Sequence, residues 1–140
     1  MSTLTDIYAA TASDASGYGI DPHRDKVRFP DCLQMKDITS IELSELWSVL
    51  RTGETQTELE AEFEILLGGA SGVIYRIPER MLNDLIQLPP DKIPQAASAW
   101  AKIDEPWWTP ADAQVTLESL VAIACRAAQR KLGLYVWINV

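Results

Sequence analysis

The chain has 140 residues, of which 47% are hydrophobic, and a formal net charge of −8. This length and apolar share predict a single globular domain over residues 1–140 and exclude global disorder. The acidic balance excludes a phosphate-backbone binder, which needs clustered Lys and Arg, and disfavours anionic membrane surfaces. The expected partners therefore include no nucleic acid and no membrane, and a basic protein is the partner the charge allows. No apolar run approaches the ~18–20 residues of a membrane span, and the first residues lack a basic, apolar signal sequence. The expected compartment is the cytoplasm, where Cys32 and Cys125 stay reduced.

In chain order, Leu4 to Ala10 reads as a first strand from its β-branched and aromatic content. Residues 11 to about 30 are rich in Ser, Gly, Asp and Pro and read as a long loop. Cys32 to Met35 suggests a short second strand. Thr39 and Glu42 form a capping box, and Leu43, Leu46, Trp47 and Leu50 then recur at helical spacing up to Gly53. The stretch from Glu58 to Ile65 alternates like a strand. However, Leu59, Phe63, Leu66 and Leu67 also make a helical stripe. A strand would set four glutamates on one face, so a helix ended by Gly68 and Gly69 is expected.

Val73 to Ile77 reads as a strand, followed by a helix begun at Pro78 and stopped by Pro89 and Pro90. A further helix is expected from about Asp91 to Ile103, with Ile93, Ala96, Ala97, Trp100 and Ile103 turned inward. Asp104 to Trp108 is a connector. Thr109, Pro110 and Asp112 then open a long amphipathic helix that runs toward Gly133. Residues 134–140 are nearly all apolar and predict an interior strand, since such a segment left bare is an aggregation site. The fold class this implies is α+β: a small, mostly antiparallel sheet including both chain ends, covered by about five helices.

Several of these segments resemble the YfbM-like bacterial proteins of unknown function. They are Leu46-Trp47-Ser48-Val49-Leu50-Arg51-Thr52-Gly53, Phe63 to Gly69, Ile74 to Pro78 with its helix, and the closing helix plus apolar strand. The resemblance spans Leu43 to Val140 in element order. It implies a cytoplasmic α+β domain and a helical Leu59 to Leu67, and it brings no catalytic residues. The family often carries a histidine near the tryptophan of its first helix. Here Ser48 and Val49 occupy those places.

The single histidine limits the available chemistry. Asp21, His23 and Asp25 offer either a metal clip or an acid/base pair, set against a solvated turn built by Asp and Pro. A zinc site needs three or four ligands, so no metal and no cofactor are expected. Neither a Gly-x-Ser-x-Gly elbow nor a phosphate-binding glycine loop is present, and no catalytic residue is assigned. Glu58, Glu60, Glu62 and Glu64 form the densest acidic cluster, either a docking face or a solvated surface. Trp107 and Trp108 offer a hot spot if exposed and an anchor if buried.

The expected function is a non-enzymatic interaction module with an acidic docking surface, of the kind found among toxin-neutralising immunity proteins. The alternative is a small enzyme or ligand-binding protein using the loop from Tyr18 to Cys32. A homodimer through a sheet edge or the tryptophan pair is compatible with either.

Overall fold

The computed structural model describes residues 3–18, 29–69, 72–103 and 108–139. Its centre is a five-stranded antiparallel sheet in the order β2-β1-β5-β4-β3. In sequence the elements are β1 (Leu4–Ala10), α1 (Ala12–Ala15), β2 (Cys32–Lys36), α2 (Ser40–Leu50), α3 (Gln56–Glu60), β3 (Glu64–Gly69), β4 (Gly72–Arg76), α4 (Glu79–Gln87), a 3-10 turn (Pro90–Lys92), α5 (Ile93–Ile103), α6 (Pro110–Gln129) and β5 (Gly133–Asn139). The α+β class and the pairing of both end segments in one sheet are as the sequence predicts. Among the described residues, no helix is long and apolar enough to cross a membrane.

β5 lies in the middle of the sheet. On one side it pairs with β1 from Leu4↔Asn139 to Ala10↔Gly133, and on the other with β4 from Val73↔Ile138 to Arg76↔Tyr135. Its alternate residues enter different cores. Leu134, Val136 and Ile138 join the main core beneath the helices, while Tyr135 belongs to a smaller cluster with Tyr8, Tyr18, Phe29 and Ile74. A strand covered on both faces needs apolar residues at every position, which is why its sequence is an unbroken run rather than an alternation.

The main core is filled by Trp47 of α2 and Trp100 of α5, both fully buried. A buried indole needs an acceptor for its N–H. Trp47 Nε1 donates to Asp84 Oδ2 at 2.8 Å, and Trp100 Nε1 donates to the Glu42 carbonyl at 3.0 Å. These two bonds join α2 to α4 and to α5. The helix starts follow their sequence signals: Thr39 with Glu42 and Thr109 with Asp112 both form complete capping boxes.

Three expectations need correction. The loop expected over residues 11–30 contains a single-turn helix, α1, capped by Thr11. The helix expected through Leu67 ends at Glu60, and Glu64–Gly69 is strand. The like-charge objection to a strand fails because the glutamates are divided. Glu58 and Glu60 lie on α3, Glu62 lies in the following turn, and only Glu64 enters β3. The chain leaves the helix so that Phe63 can bury itself edge-on against Trp47, with ring centroids 6.4 Å apart. Gly68 and Gly69 are accordingly strand residues, not a helix stop.

The third correction is Ile103, expected to face inward but 46% exposed at the last position of α5, where the helix runs past the core. The chain turns at the end of α6 without a glycine. The left-handed residue there is Lys131 (φ +57°), and Gly133 opens β5. Leu132 N donates to the Ala127 carbonyl at 2.8 Å and Lys131 N to that of Ala128 at 3.1 Å, the paired bonds of a Schellman ending. Glycine normally fills that position, because a side chain in the left-handed region costs ~1–2 kcal/mol. Glycine is obligatory at Gly72 (φ +134°), where a Cβ would stand 2.5 Å from the Ile138 carbonyl oxygen. Relief of the strain at position 131 predicts that Lys131→Gly raises the free energy of unfolding by about 1 kcal/mol. Urea denaturation checks this. An unchanged or lowered midpoint would show that the Lys131 backbone is unstrained.

Candidate functional site

The acidic segment is divided between charges that are neutralised and charges that are not. Arg80 Nη2 lies 2.8 Å from Glu54 Oε1 and 2.6 Å from Glu62 Oε2. Arg51 pairs with Glu54 at 2.8 Å and with Asp84 at 3.0 Å. The Arg80 guanidinium, helped by Arg51, holds the Glu54 carboxyl below the usual carboxylate range against the opposing effect of desolvation. The Arg80 guanidinium also lies over the Trp47 ring, 5.3 Å from its centroid. This network braces α2, α4 and the α3–β3 turn, and it removes Glu62 from the free acidic face. Glu58, Glu60 and Glu64 form no ion pair among the described residues. Glu58 accepts from Thr55 and Glu60 from Gln56, both local bonds that leave the charge in place.

Glu64 opens β3, one of the two edge strands among the described residues. There its strand partner is β4, and its register slips between Ile65 and Leu67, a bulge. Ile65 is 59% exposed and Leu67 45% exposed, among the largest exposed apolar side chains in the molecule. Edge strands offer unpaired N–H and C=O groups, and proteins usually blunt them with charge or a bulge. Here the bulge and Glu64 do so, yet two aliphatic side chains remain bare.

The alternative loop site is bracketed by residues that the sequence did not single out as a set. Asp21, His23 and Asp25 lie outside the described residues, so the metal clip and the acid/base pair have no geometry here. At the two ends of the loop, Tyr18 and Cys32 meet on the outer face of the sheet. Tyr18 Oη donates to Asp6 Oδ2 at 2.6 Å and lies 3.2 Å from Cys32 Sγ. Its ring stacks on Tyr8 at 4.0 Å between centroids, and Tyr8 Oη donates to the Ala15 carbonyl at 2.6 Å. Burial first, and then the hydrogen bond to Asp6, push the Tyr18 hydroxyl far above the ordinary tyrosine range. The available sequence signal was a carboxylate, Asp6, inside an otherwise buried strand.

Trp108 is half-buried and stands edge-on to Trp100, with ring centroids 4.5 Å apart. It is thus an anchor of the connector and not a bare hot spot. Trp107 lies outside the described residues. Among the described residues, no three His, Cys, Asp or Glu side chains converge to hold a metal ion.

A tyrosine with a raised pKa keeps its proton in the folded state while the unfolded chain loses it. Stability from this source is therefore complete below about pH 10 and declines as pH rises beyond it. Tyr18→Phe should unfold more easily at neutral pH yet lose less stability between about pH 9 and 11 than the parent, the slopes differing by up to ~1.4 kcal/mol per pH unit. Urea midpoints across that range measure the difference. Parallel pH profiles for the two proteins would refute a raised Tyr18. In comparisons with known proteins, no family model, curated protein or solved structure matches the chain.

Proposed function

We propose that the protein is a non-enzymatic interaction module that captures a basic, extended segment of a partner protein along β3, in a cytoplasmic setting. The carrying observation is the coincidence along β3 of three features: a strand edge without a second partner among the described residues, bare Ile65 and Leu67, and the un-neutralised Glu64, with Glu58 and Glu60 on the helix just before the strand. Strand addition supplies main-chain hydrogen bonds, and alternate side chains supply selectivity. Because of the bulge, Ile65 shares a face with Tyr75 and Leu67 with Ile74, so aliphatic side chains on one face of the incoming strand would cover Ile65, while lysines or arginines on the other would meet Glu64. The charge also sets the kinetics. A chain of net −8 attracts cations from a distance, and that attraction is screened within about 8 Å at physiological salt.

The chemistry favours such a segment over a second copy of this chain. An antiparallel pair of β3 strands would bury Ile65 and Leu67, but it would also bring together two surfaces of the same sign, which like-charge repulsion opposes.

The test uses a synthetic peptide of alternating lysine and valine as probe, with an alternating glutamate and valine peptide as control. The basic peptide should bind, weaken about tenfold or more between low and physiological salt, and lose its affinity in Ile65→Lys, whose exposed position leaves the fold intact. Binding of the acidic control, or undiminished binding by the Ile65→Lys variant, would overturn the proposal. So would a β3-dependent dimer in sedimentation that excludes the peptide.

A further inference from the structure

A second surface presents two cations. Where α4 faces the end of α6 and the start of β5, a cleft of about 400 Å³ opens. Arg76 and Lys131 line it, with the Asn83 amide between apolar walls that include Leu82, Ile86 and Leu132. Glu79 also borders it, and Arg76 and Glu79 together border an adjoining cleft with Glu62 and Glu64, of which Glu62 is already held by Arg80.

Two independent observations mark these cations. The first is pairing. Of the arginines among the described residues, Arg51, Arg80, Arg126 and Arg130 all engage carboxylates, while Arg76 engages none within ion-pair distance. It does so although its cross-strand neighbour is Glu64 and Glu79 follows close behind in sequence. The second is conformation. Lys131 holds the left-handed position that glycine fills most readily, at φ +57°. A strained residue that places a charged side chain at a cleft is a signal of use, because stability alone would select glycine there.

We infer that this cleft binds a small amphipathic monocarboxylate, its carboxylate held by Arg76 and Lys131 and its short hydrocarbon body on the Leu82, Ile86 and Leu132 wall. Charge decides the class. Two cations with Glu79 and Glu64 close by suit a single negative charge, whereas a phosphate dianion would meet those carboxylates with its second charge uncompensated. The apolar wall decides the body, since ligand pockets join a few placed polar groups to a mostly hydrophobic lining. A ligand in this cleft would touch neither Ile65 nor Leu67, although Arg76 stands opposite Glu64 of the β3 edge.

The probe is hexanoate, with hexanol and inorganic phosphate as controls, read by calorimetry and by amide chemical shifts. Hexanoate should bind saturably, with a Kd of about 1 mM or tighter, and shift the amides of Asn83, Leu132 and Gly133. Arg76→Gln should weaken it about tenfold or more, and Lys131→Arg should retain it. Lys131→Gly should weaken it to a similar degree while its melting temperature rises by about 2–4 °C, which separates lost binding from lost folding. The Ile65→Lys variant should bind hexanoate like the parent. Equal binding of hexanol, stronger binding of phosphate, undiminished binding by Arg76→Gln, or no saturable binding of hexanoate would each overturn the inference.

Discussion

The fold depends on one strand being held from both sides. β5 receives backbone hydrogen bonds from β1 and from β4, so it joins the β1–β2 half of the sheet to the β3–β4 half. Without it those halves are two separate hairpin-like pairs, which are marginal in water on their own. The same strand places Val136 and Ile138 under the helices and Tyr135 under the outer cluster, so both cores also meet along it. Every other feature is attached to this spine: α6 leads into it through the strained Lys131 turn, and Gly72 lets β4 approach it closely.

A central strand implies two edges, and the molecule treats them differently. β2 is tied to α6 through Asp31, which receives Arg126 at 3.0 Å and Arg130 at 3.3 Å. Among the described residues β3 has no such cover, and it carries a bulge and the charge of Glu64. The Arg51–Arg80 network stiffens the ground on which β3 stands, but it engages Glu54, Glu62 and Asp84 and leaves Glu58, Glu60 and Glu64. The outcome is an edge that is rigid, acidic and partly greasy, whereas the cleft bordered by Arg76 and Lys131 presents two cations.

Much of this was legible in the residues. Thr39 with Glu42 and Thr109 with Pro110 and Asp112 marked helix starts because capping is local chemistry. The apolar run of β5 announced an interior strand for the same kind of reason. The stretch from Glu58 to Leu67 was misread because its decisive contact is distant: Phe63 packs on Trp47, and that contact outweighs the helical propensity of Glu, Leu and Ala. The four glutamates were weighed as one face, whereas the chain distributes them over helix, turn and strand. Tyr18, Asp6 and Cys32 meet only through β1–β2 pairing and the return of α1, which no local pattern records. The pairing state of Arg76 is likewise a property of three dimensions, because its neighbours in sequence and in register are acidic and yet do not reach it.

The role of β5 as the spine is tested most directly by native-state hydrogen exchange under graded urea. If the account holds, the hydrogen-bonded amides of β5 from Tyr135 to Ile138 exchange only through global unfolding, with the same free energy and urea dependence as the most protected amides of α6. Exchange of those β5 amides through a low-energy local opening, while α6 stays protected, would contradict it.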